Sequence, residues 1–460
     1  MMKERIVILG AGESGTGAAL LAKAKGFEVF VSDKGQIGEG YKSQLESAGI
    51  DFEEGKHSED KILNTKEIVK SPGIPLTAPL VVKAMEMQIP IIDELEFAGR
   101  FTKARFIGIT GSNGKTTTTL LTYHLMQKCG FKVGLAGNIG HSLAKQVVED
   151  KFDWYVLEIS SFQLDGMFKF RNDIAILTNI TPDHLDRYDY KLENYVASKF
   201  RVAQNLKSED TLIVSAEDQL VSNELKRRNP GGNLVSIGLK AGFDTQVFKA
   251  NDSFIFNHTK TSFSISSRQL PLSGEHNFMN AMMAVAAVSL TGGNAELIRE
   301  GLKGFVNAPH RCELVATIGG VRFVNDSKAT NVDSVKYGFS AFEKPIVWIA
   351  GGVDKGNDYT ELDDAVKAKV TALICLGTNN EKLRKHFSTM VSAVDETQSI
   401  AEAIQKAYAV SKPGTTILLS PACASFDLFK NYEDRGNQFK VAVKALENKV
   451  LSSTLNTNPA

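Results

Sequence analysis

The clustered ligands that announce a structural metal or a disulfide framework are missing from this chain. Its four cysteines, Cys129, Cys312, Cys375 and Cys423, stand far apart with no CxxC pair among them. That usage excludes a disulfide scaffold and fits a reduced, cytoplasmic chain. Eight histidines are equally scattered, so no HExxH or comparable zinc spacing exists. Long apolar runs are also lacking. The longest, Ala281 to Leu290, falls far short of the ~18 residues that a membrane span requires. The opening MMKERIVILGAG has a short apolar run that ends in glycines and does not read as a signal peptide. Charge of one sign is absent as well. Lys plus Arg and Asp plus Glu both number 53, which argues against a general nucleic-acid binder but leaves room for a local basic pocket. Proline is scarce at 12 residues, and no repeat or low-complexity linker is visible, so neither a fibrous nor a disordered chain is expected.

What is present is an α/β pattern from end to end. A length of 460 residues predicts three domains at ~150 residues each, and a 43% apolar share supports packed cores. Short β-branched runs at Ile6–Leu9, Phe106–Thr110, Tyr155–Leu157, Ile174–Leu177, Leu212–Val214, Ile346–Ala350, Leu373–Leu376 and Ile417–Leu419 alternate with helical patterns. The fourth run could reach Ile180. Strands alternating with helices imply parallel sheets. Residues 240–270 instead alternate polar with apolar, as in DSFIFN and TSFSIS, which predicts a short antiparallel patch. The α/β pattern restarts near 95 and 308, so domains of 1–95, 96–308 and 309–460 are expected. The polar tail, 451–460, is expected to fray.

Gly10-Ala11-Gly12-Glu13-Ser14-Gly15 follows the first strand, and Asp33 ends the next apolar run. GxGxxG opening a helix brings backbone N–H groups to a diphosphate. NAD, with Asp33 on a ribose hydroxyl, is one reading; any nucleotide diphosphate, or a bare strand-to-helix turn, fits as well. GITGSNGKTTTT at 108–119 says more. Gly111, Ser112, Asn113 and Gly114 form a loop between strand and helix that suits phosphates. Lys115 reaches the terminal phosphates, and Thr116, followed by Thr117, can take Mg²⁺. The first glycine of a strict GxxxxGK[ST] pattern is replaced by Ile109.

Glu158, at the end of WYVLE, gains weight from that loop as a Mg²⁺ carboxylate. His184, between Asp183 and Asp186, is a metal or phosphate neighbour or simply a surface histidine. Lys199, on pattern alone, reads as an exposed helix lysine. Three further clusters follow strand-like runs in the last third: Asn325 to Thr330, Gly351 to Gly356 and Ser420 to Asp427. They lie at the edge where parallel sheets bind ligands, and their cations and hydroxyls suit an anion with more than one carboxylate.

Taken with GNIG (137–140), LEISSFQLD (157–165), TNITPDHLDRY (178–188), SGEHNFMNA (273–281), PHRCE (309–313), NDSKATN (325–331) and SPACASFDLFKNYEDRGNQF (420–439), the phosphate loop gives a chain that resembles the Mur ligase family over nearly its whole length. SSFQL and the last-domain motifs point to the glutamate-adding branch. The resemblance implies a Rossmann-like N-terminal domain that holds the UDP end of a substrate, a central P-loop ATPase domain and a Rossmann-like C-terminal domain that brings in the amino acid. It places Gly12, Glu13, Ser14, Asp33, Lys34 and Gly73 at UDP positions; the acidic side chain of Glu13 leaves only its backbone to serve a phosphate. Asn138 and His184 fall near the muramoyl-alanine end. Lys115, Thr116, Asn280, Arg311 and Asp326 fall at ATP positions. Lys328, Thr330, Lys355, Ser425, Phe426 and Tyr432 fall where D-glutamate is held, with Phe426 and Tyr432 standing where the family can carry Leu and Phe.

The activity so implied is ATP-dependent amide formation through an acyl phosphate. Two Mg²⁺ ions are expected on Thr116, Glu158, His184 and Lys199, with Lys199 carbamylated. The expected partners are small molecules (UDP-N-acetylmuramoyl-L-alanine, D-glutamate and ATP) acting on a cytoplasmic monomer with no nucleic acid or membrane. A Mur-type ligase for another amino acid, a nicotinamide-dependent dehydrogenase fused to an ATPase and a non-catalytic nucleotide sensor are the readings to be told apart from it.

Overall fold

A computed structural model describes residues 4–242, 245–258, 262–270 and 274–455. Parts of the antiparallel patch, Ser273 of the SGEHNFMNA run and the last five residues of the tail lie outside them. The chain divides into two compact units, Met1–Leu272 with Asn277–Phe305, and Ser273–His276 with Val306–Ala460.

The first unit carries two sheets. Arg5–Leu9, Glu28–Asp33, Asp51–Glu54, Glu67–Lys70 and Ile91–Ile92 form a parallel five-stranded sheet with spatial order 3-2-1-4-5. Its first strand is buried at nearly every position, as a central parallel strand covered on both faces must be. The second sheet has nine strands. Arg105–Thr110 lies between Trp154–Glu158 and Ile174–Leu177, parallel to both. The strand order switches there, which is where parallel α/β sheets place ligands, beyond the carboxyl ends of the strands. The alternating stretch becomes Val247–Ala250, Ser253–Phe256 and Phe263–Ser266, paired antiparallel as expected, and this patch extends the edge of the sheet. One apolar cluster joins the two sheets, running from Ile8 and Ala18 through Leu95 and Phe97 to Leu157 and Leu177.

The strand that could have reached Ile180 ends at Leu177. Beyond it the chain turns to serve the phosphate loop: the Ser112 N–H donates to Asn179 O at 2.9 Å, and the Thr178 hydroxyl donates to Asn113 O at 2.6 Å.

The second unit holds a six-stranded sheet in which Val321–Asn325, Thr416–Leu419, Ile346–Ala350, Val370–Leu376 and Ala393–Thr397 run parallel, with Glu313–Ile318 antiparallel at one edge. The last helix, Tyr432–Leu455, reaches into the tail that was expected to fray, because its apolar face, with Phe439 and Val443 fully buried, docks on this sheet.

Candidate active site

The Gly-rich turn closes tightly on the first strand. A Cβ on Gly15 would lie 1.8 Å from Gly10 O, so only glycine allows the approach. Gly12 is the N-cap of helix Glu13–Ala24, and no side chain caps its opening turn. The N–H groups that a diphosphate could take are thus left by the fold to other partners. Asp33 braces the turn from the neighbouring strand, accepting the Ala11 N–H at 2.7 Å and the Gly35 N–H at 2.8 Å. Lys34 and Gly73 are exposed nearby in sequence at the ends of their strands. The loop holding Gly73 is laced by Lys70, whose buried ammonium donates to Ser71 O and to Ile74 O at 2.7 Å. Burial pushes the Lys70 amine below its ordinary range.

The phosphate loop is built as its spacing demands. Gly111 and Gly114 have φ of 147° and 81°. A Cβ on Gly114 would come within 2.3 Å of Asn280 Oδ1, which places Asn280, on helix Glu275–Leu290, against the loop. Lys115 opens helix Lys115–Lys128 and folds back, donating to Gly111 O at 2.7 Å and Ser112 O at 2.8 Å. Thr116 and Thr117 follow in its first turn.

Glu158 ends the adjacent strand and is buried. Its Oε1 accepts from Asn138 Nδ2 at 2.8 Å, while its Oε2 is buried without a partner among the described residues. An unpaired carboxylate oxygen beside a phosphate loop is a costly feature that a cation would relieve. Lys199 departs from the exposed lysine that its pattern suggested. It is 2% exposed, on helix Leu192–Phe200, because that helix turns the residue inward against Tyr195, whose ring centroid lies 4.8 Å from the ammonium. Burial, and then the charge of Lys115, hold its amine well below the ordinary lysine range against the opposing pull of Asp183, Asp165 and Glu158. His184 sits in a left-handed turn (φ 51°) with the Phe162 ring in a T-shaped contact, centroids 5.2 Å apart, and Asp183 3.6 Å from Nε2. Among the described residues no three His, Cys, Asp or Glu side chains form a ready-made metal cluster.

In the second unit the loops after Asn325, Ala350 and Leu419 leave one edge, since the three strands are parallel neighbours. Asp326 is buried there; it accepts the Ser420 hydroxyl at 2.8 Å and the Cys312 N–H at 3.2 Å. Burial raises its carboxyl to about 7, with Ser420, Cys312 and the Arg311 charge opposing. The Lys328 ammonium lies 3.6 Å from the Tyr432 ring centroid, and Thr330 follows two residues on. Ser425 is buried, Lys355 exposed and Phe426 71% exposed.

One organiser of this edge was not among the residues singled out from sequence. Arg435, 1% exposed, donates to Ser327 Oγ and O, to Cys423 O and to Gly351 O, stitching the three loops together. Its signal in sequence is weak, because an arginine after Glu433 and Asp434 reads as a solvated helix face.

Parallel α/β sheets, a phosphate loop and an unpaired acidic oxygen beside it define an enzyme of nucleotide-dependent phosphoryl transfer. Residues 109–288 match the Mur ligase middle domain, 310–423 the Mur ligase glutamate ligase domain and 4–93 the Mur ligase MurD-like N-terminal domain. The chain belongs to the Mur ligase family. It is 51% identical to a "UDP-N-acetylmuramoylalanine--D-glutamate ligase" of Cytophaga hutchinsonii, over 95% of this chain and 98% of that one. A protein of the same name from Bacteroides fragilis is 50% identical over 96% of this chain and all of the other. A pseudomurein peptide ligase type C from Methanothermus fervidus shares the fold, with a TM-score of 0.64 at 20% identity over 96% of this chain and all of that one. The nicotinamide reading of the first Gly-rich turn falls with this membership. No helix among the described residues is long and apolar enough to cross a membrane.

Proposed function

We propose that this chain is the ATP-dependent ligase that joins D-glutamate to UDP-N-acetylmuramoyl-L-alanine, a step of peptidoglycan precursor synthesis. It acts as a cytoplasmic monomer on small-molecule substrates. The reading rests on one observation above the others: near-full-length identity of about half to relatives of that name, in a chain whose phosphate loop and neighbouring carboxylate suit the reaction. The boundaries 1–95, 96–308 and 309–460 belong to the same proposal and are supported by three separate sheets.

The chemistry follows from the leaving-group problem. A free carboxylate cannot expel oxide, so the alanyl carboxylate oxygen first attacks the γ-phosphorus and the bond to ADP breaks. The D-glutamate amine then attacks the acyl carbon. The tetrahedral intermediate collapses by releasing phosphate, and the nitrogen loses a proton. Phosphoryl transfer asks the protein mainly for position and charge. In this reading Lys115 exchanges its loop carbonyls for the terminal phosphates, while Gly111, Ser112, Asn113, Gly114, Thr116, Thr117 and Asn280 surround the nucleotide's phosphates, with Arg311 and Asp326 also at ATP positions. Thr116, Glu158, His184 and Lys199 would hold Mg²⁺, for which the unpartnered Glu158 oxygen is suited. Bound there, Mg²⁺ supplies electrostatic neutralisation of the transferring phosphoryl group.

Lys199 serves as a carbamate in this scheme. Its suppressed basicity favours the neutral amine, the form that captures CO₂, and the product is a two-oxygen anion of the kind that Mg²⁺ prefers. Gly12, Glu13, Ser14, Asp33, Lys34 and Gly73 hold the UDP end, with Asn138 and His184 towards the muramoyl-alanine end. Lys328, Thr330, Lys355, Ser425, Phe426 and Tyr432 hold D-glutamate, a dicarboxylate that matches two cations and three hydroxyls. Phosphate release that requires both UDP-N-acetylmuramoyl-L-alanine and D-glutamate, and not other amino acids, tests the reading. Release with another amino acid in place of D-glutamate would overturn the substrate, and release with neither would overturn the ligase.

A further inference from the structure

We propose that the side chain of Glu13 is a positioning residue for Glu158, acting through the loop 137–142. The inference rests on the ligase reading for the role of Glu158, but its geometry stands by itself. Glu158 is held by its side chain at one oxygen only: Asn138 Nδ2 donates to Oε1, and Oε2 has no partner among the described residues. Where Asn138 stands therefore sets where the free oxygen points. The Asn138 N–H also donates to Glu158 O at 2.8 Å, and a Cβ on Gly137 would lie 2.1 Å from that carbonyl, so the loop and the strand end are in direct contact.

The loop has little stiffness of its own. Gly137 and Gly140 both have positive φ (95° and 84°), and Asn138, Gly140 and His141 are exposed. Its internal ties are two backbone bonds, the Gly137 N–H to His141 O at 2.8 Å and the Ile139 N–H to Gly137 O at 2.7 Å. Its near end is held by the strand Val133–Gly137, which pairs with Trp154–Glu158, and its far end is held at Ser142. The Ser142 N–H donates to Glu13 Oε1 at 3.2 Å. Its hydroxyl donates to Glu94 Oε1 at 2.7 Å, and the same carboxyl oxygen takes the Ala144 N–H at 2.5 Å. Glu13 comes from the Gly-rich turn and Glu94 from the segment after the first sheet, so two separate segments of the first domain pin one serine of the next. A continuous path runs from the Gly-rich turn through Ser142, His141, Gly137 and Asn138 to the carboxylate beside the phosphate loop. The acidic side chain at 13, of no use to a phosphate, finds a purpose as an anchor for this loop.

The test compares Glu13→Ala and Glu13→Met, which lack the acceptor, with Glu13→Gln, which keeps it. Amide hydrogen exchange of the full-length, ligand-free enzyme reads the brace directly. Loss of one charge-assisted hydrogen bond should speed exchange across 137–142 by about tenfold in the first two, with Glu13→Gln near wild type. In the working enzyme the same two variants should need several-fold more Mg²⁺ for half-maximal rate and show a lower kcat, and Glu13→Gln should restore both. Exchange at the wild-type rate in Glu13→Ala and Glu13→Met would overturn the proposal. So would faster exchange accompanied only by a raised KM for the UDP substrate, or a Glu13→Gln enzyme that behaves like Glu13→Ala. A wild-type enzyme that forms no amide would instead refute the ligase reading and leave the exchange result standing.

Discussion

Lys115 and Lys199 are both lysines, but the fold gives their amines opposite surroundings. Lys115 is the first residue of its helix, and its ammonium is parked on two carbonyls of its own loop. Those are weak holders for a cation and are readily exchanged for phosphate oxygens. Lys115→Ala should keep the fold, read by circular dichroism, and lose 10²–10³ in ligation rate, on the order of 3–4 kcal/mol of transition-state stabilisation. Near-normal turnover would remove Lys115 from the transferring phosphate. Lys199 has been driven towards neutrality by burial. Lys199→Ala should lose most activity and recover part of it with added formate or acetate, which restore oxygen ligands. Lys199→Arg should stay inactive in the same buffers, because a guanidinium forms no such carbamate. An active Lys199→Arg enzyme would leave the carbamate without a role.

At the scale of elements, the second unit depends on one side chain reaching from a helix to three loops. Arg435 is almost wholly buried, and burial lowers its guanidinium to about 10, still charged at neutral pH. Replacing it with methionine retains apolar bulk but leaves Ser327 O, Cys423 O and Gly351 O short of donors. Arg435→Met should cost about 3 kcal/mol or more, read by urea unfolding. Stability equal to wild type would show that the loops hold their edge without it.

Arg435 also marks the limit of what a sequence discloses. Segments whose meaning is local were legible: the phosphate loop between its strand and helix, GxGxxG, and the period-two strands near 250. Their geometry is set by neighbours a few residues away. Arg435 is legible only once residues about a hundred positions apart are brought together, as is the bond from Ser142 to Glu13. Burial of Lys199, Glu94 and Glu96 runs against the usual exposure of charged side chains. Pattern alone therefore placed Lys199 on the surface and passed over Glu94 and Glu96. The strand that stopped at Leu177 did so because Thr178 and Asn179 are engaged by the phosphate loop, a tertiary demand that overrides β-propensity.

For the whole molecule, with its formal net charge of zero, stability towards pH turns on individual buried groups more than on overall repulsion. Burial raises three carboxyls, Asp93 and Glu94 in the first unit and Asp326 in the second. Burial raises Glu94 from 4.5 to about 7, and Asp326 from 3.8 to about 7. Each binds its proton more tightly in the folded than in the unfolded chain. The stability each contributes is full below its unfolded value, declines as pH rises, and is lost by the time pH has passed about 7. The upper bound is on the order of 3–5 kcal/mol per group. Carboxylates lowered by ion pairs, such as the buried Asp210 beside Arg171, act in the opposite sense at lower pH. Glu94→Gln isolates one term, since glutamine resembles the protonated acid and keeps an oxygen for the Ser142 hydroxyl and the Ala144 N–H. The difference in thermal midpoint, mutant minus wild type, should therefore be smallest near pH 4.5 and grow steadily to about pH 7, then level off. A difference that is flat across that range, or that shrinks as pH rises, would mean that Glu94 is ionised in the folded enzyme throughout. The two hydrogen bonds it accepts would then outweigh the cost of burying its charge.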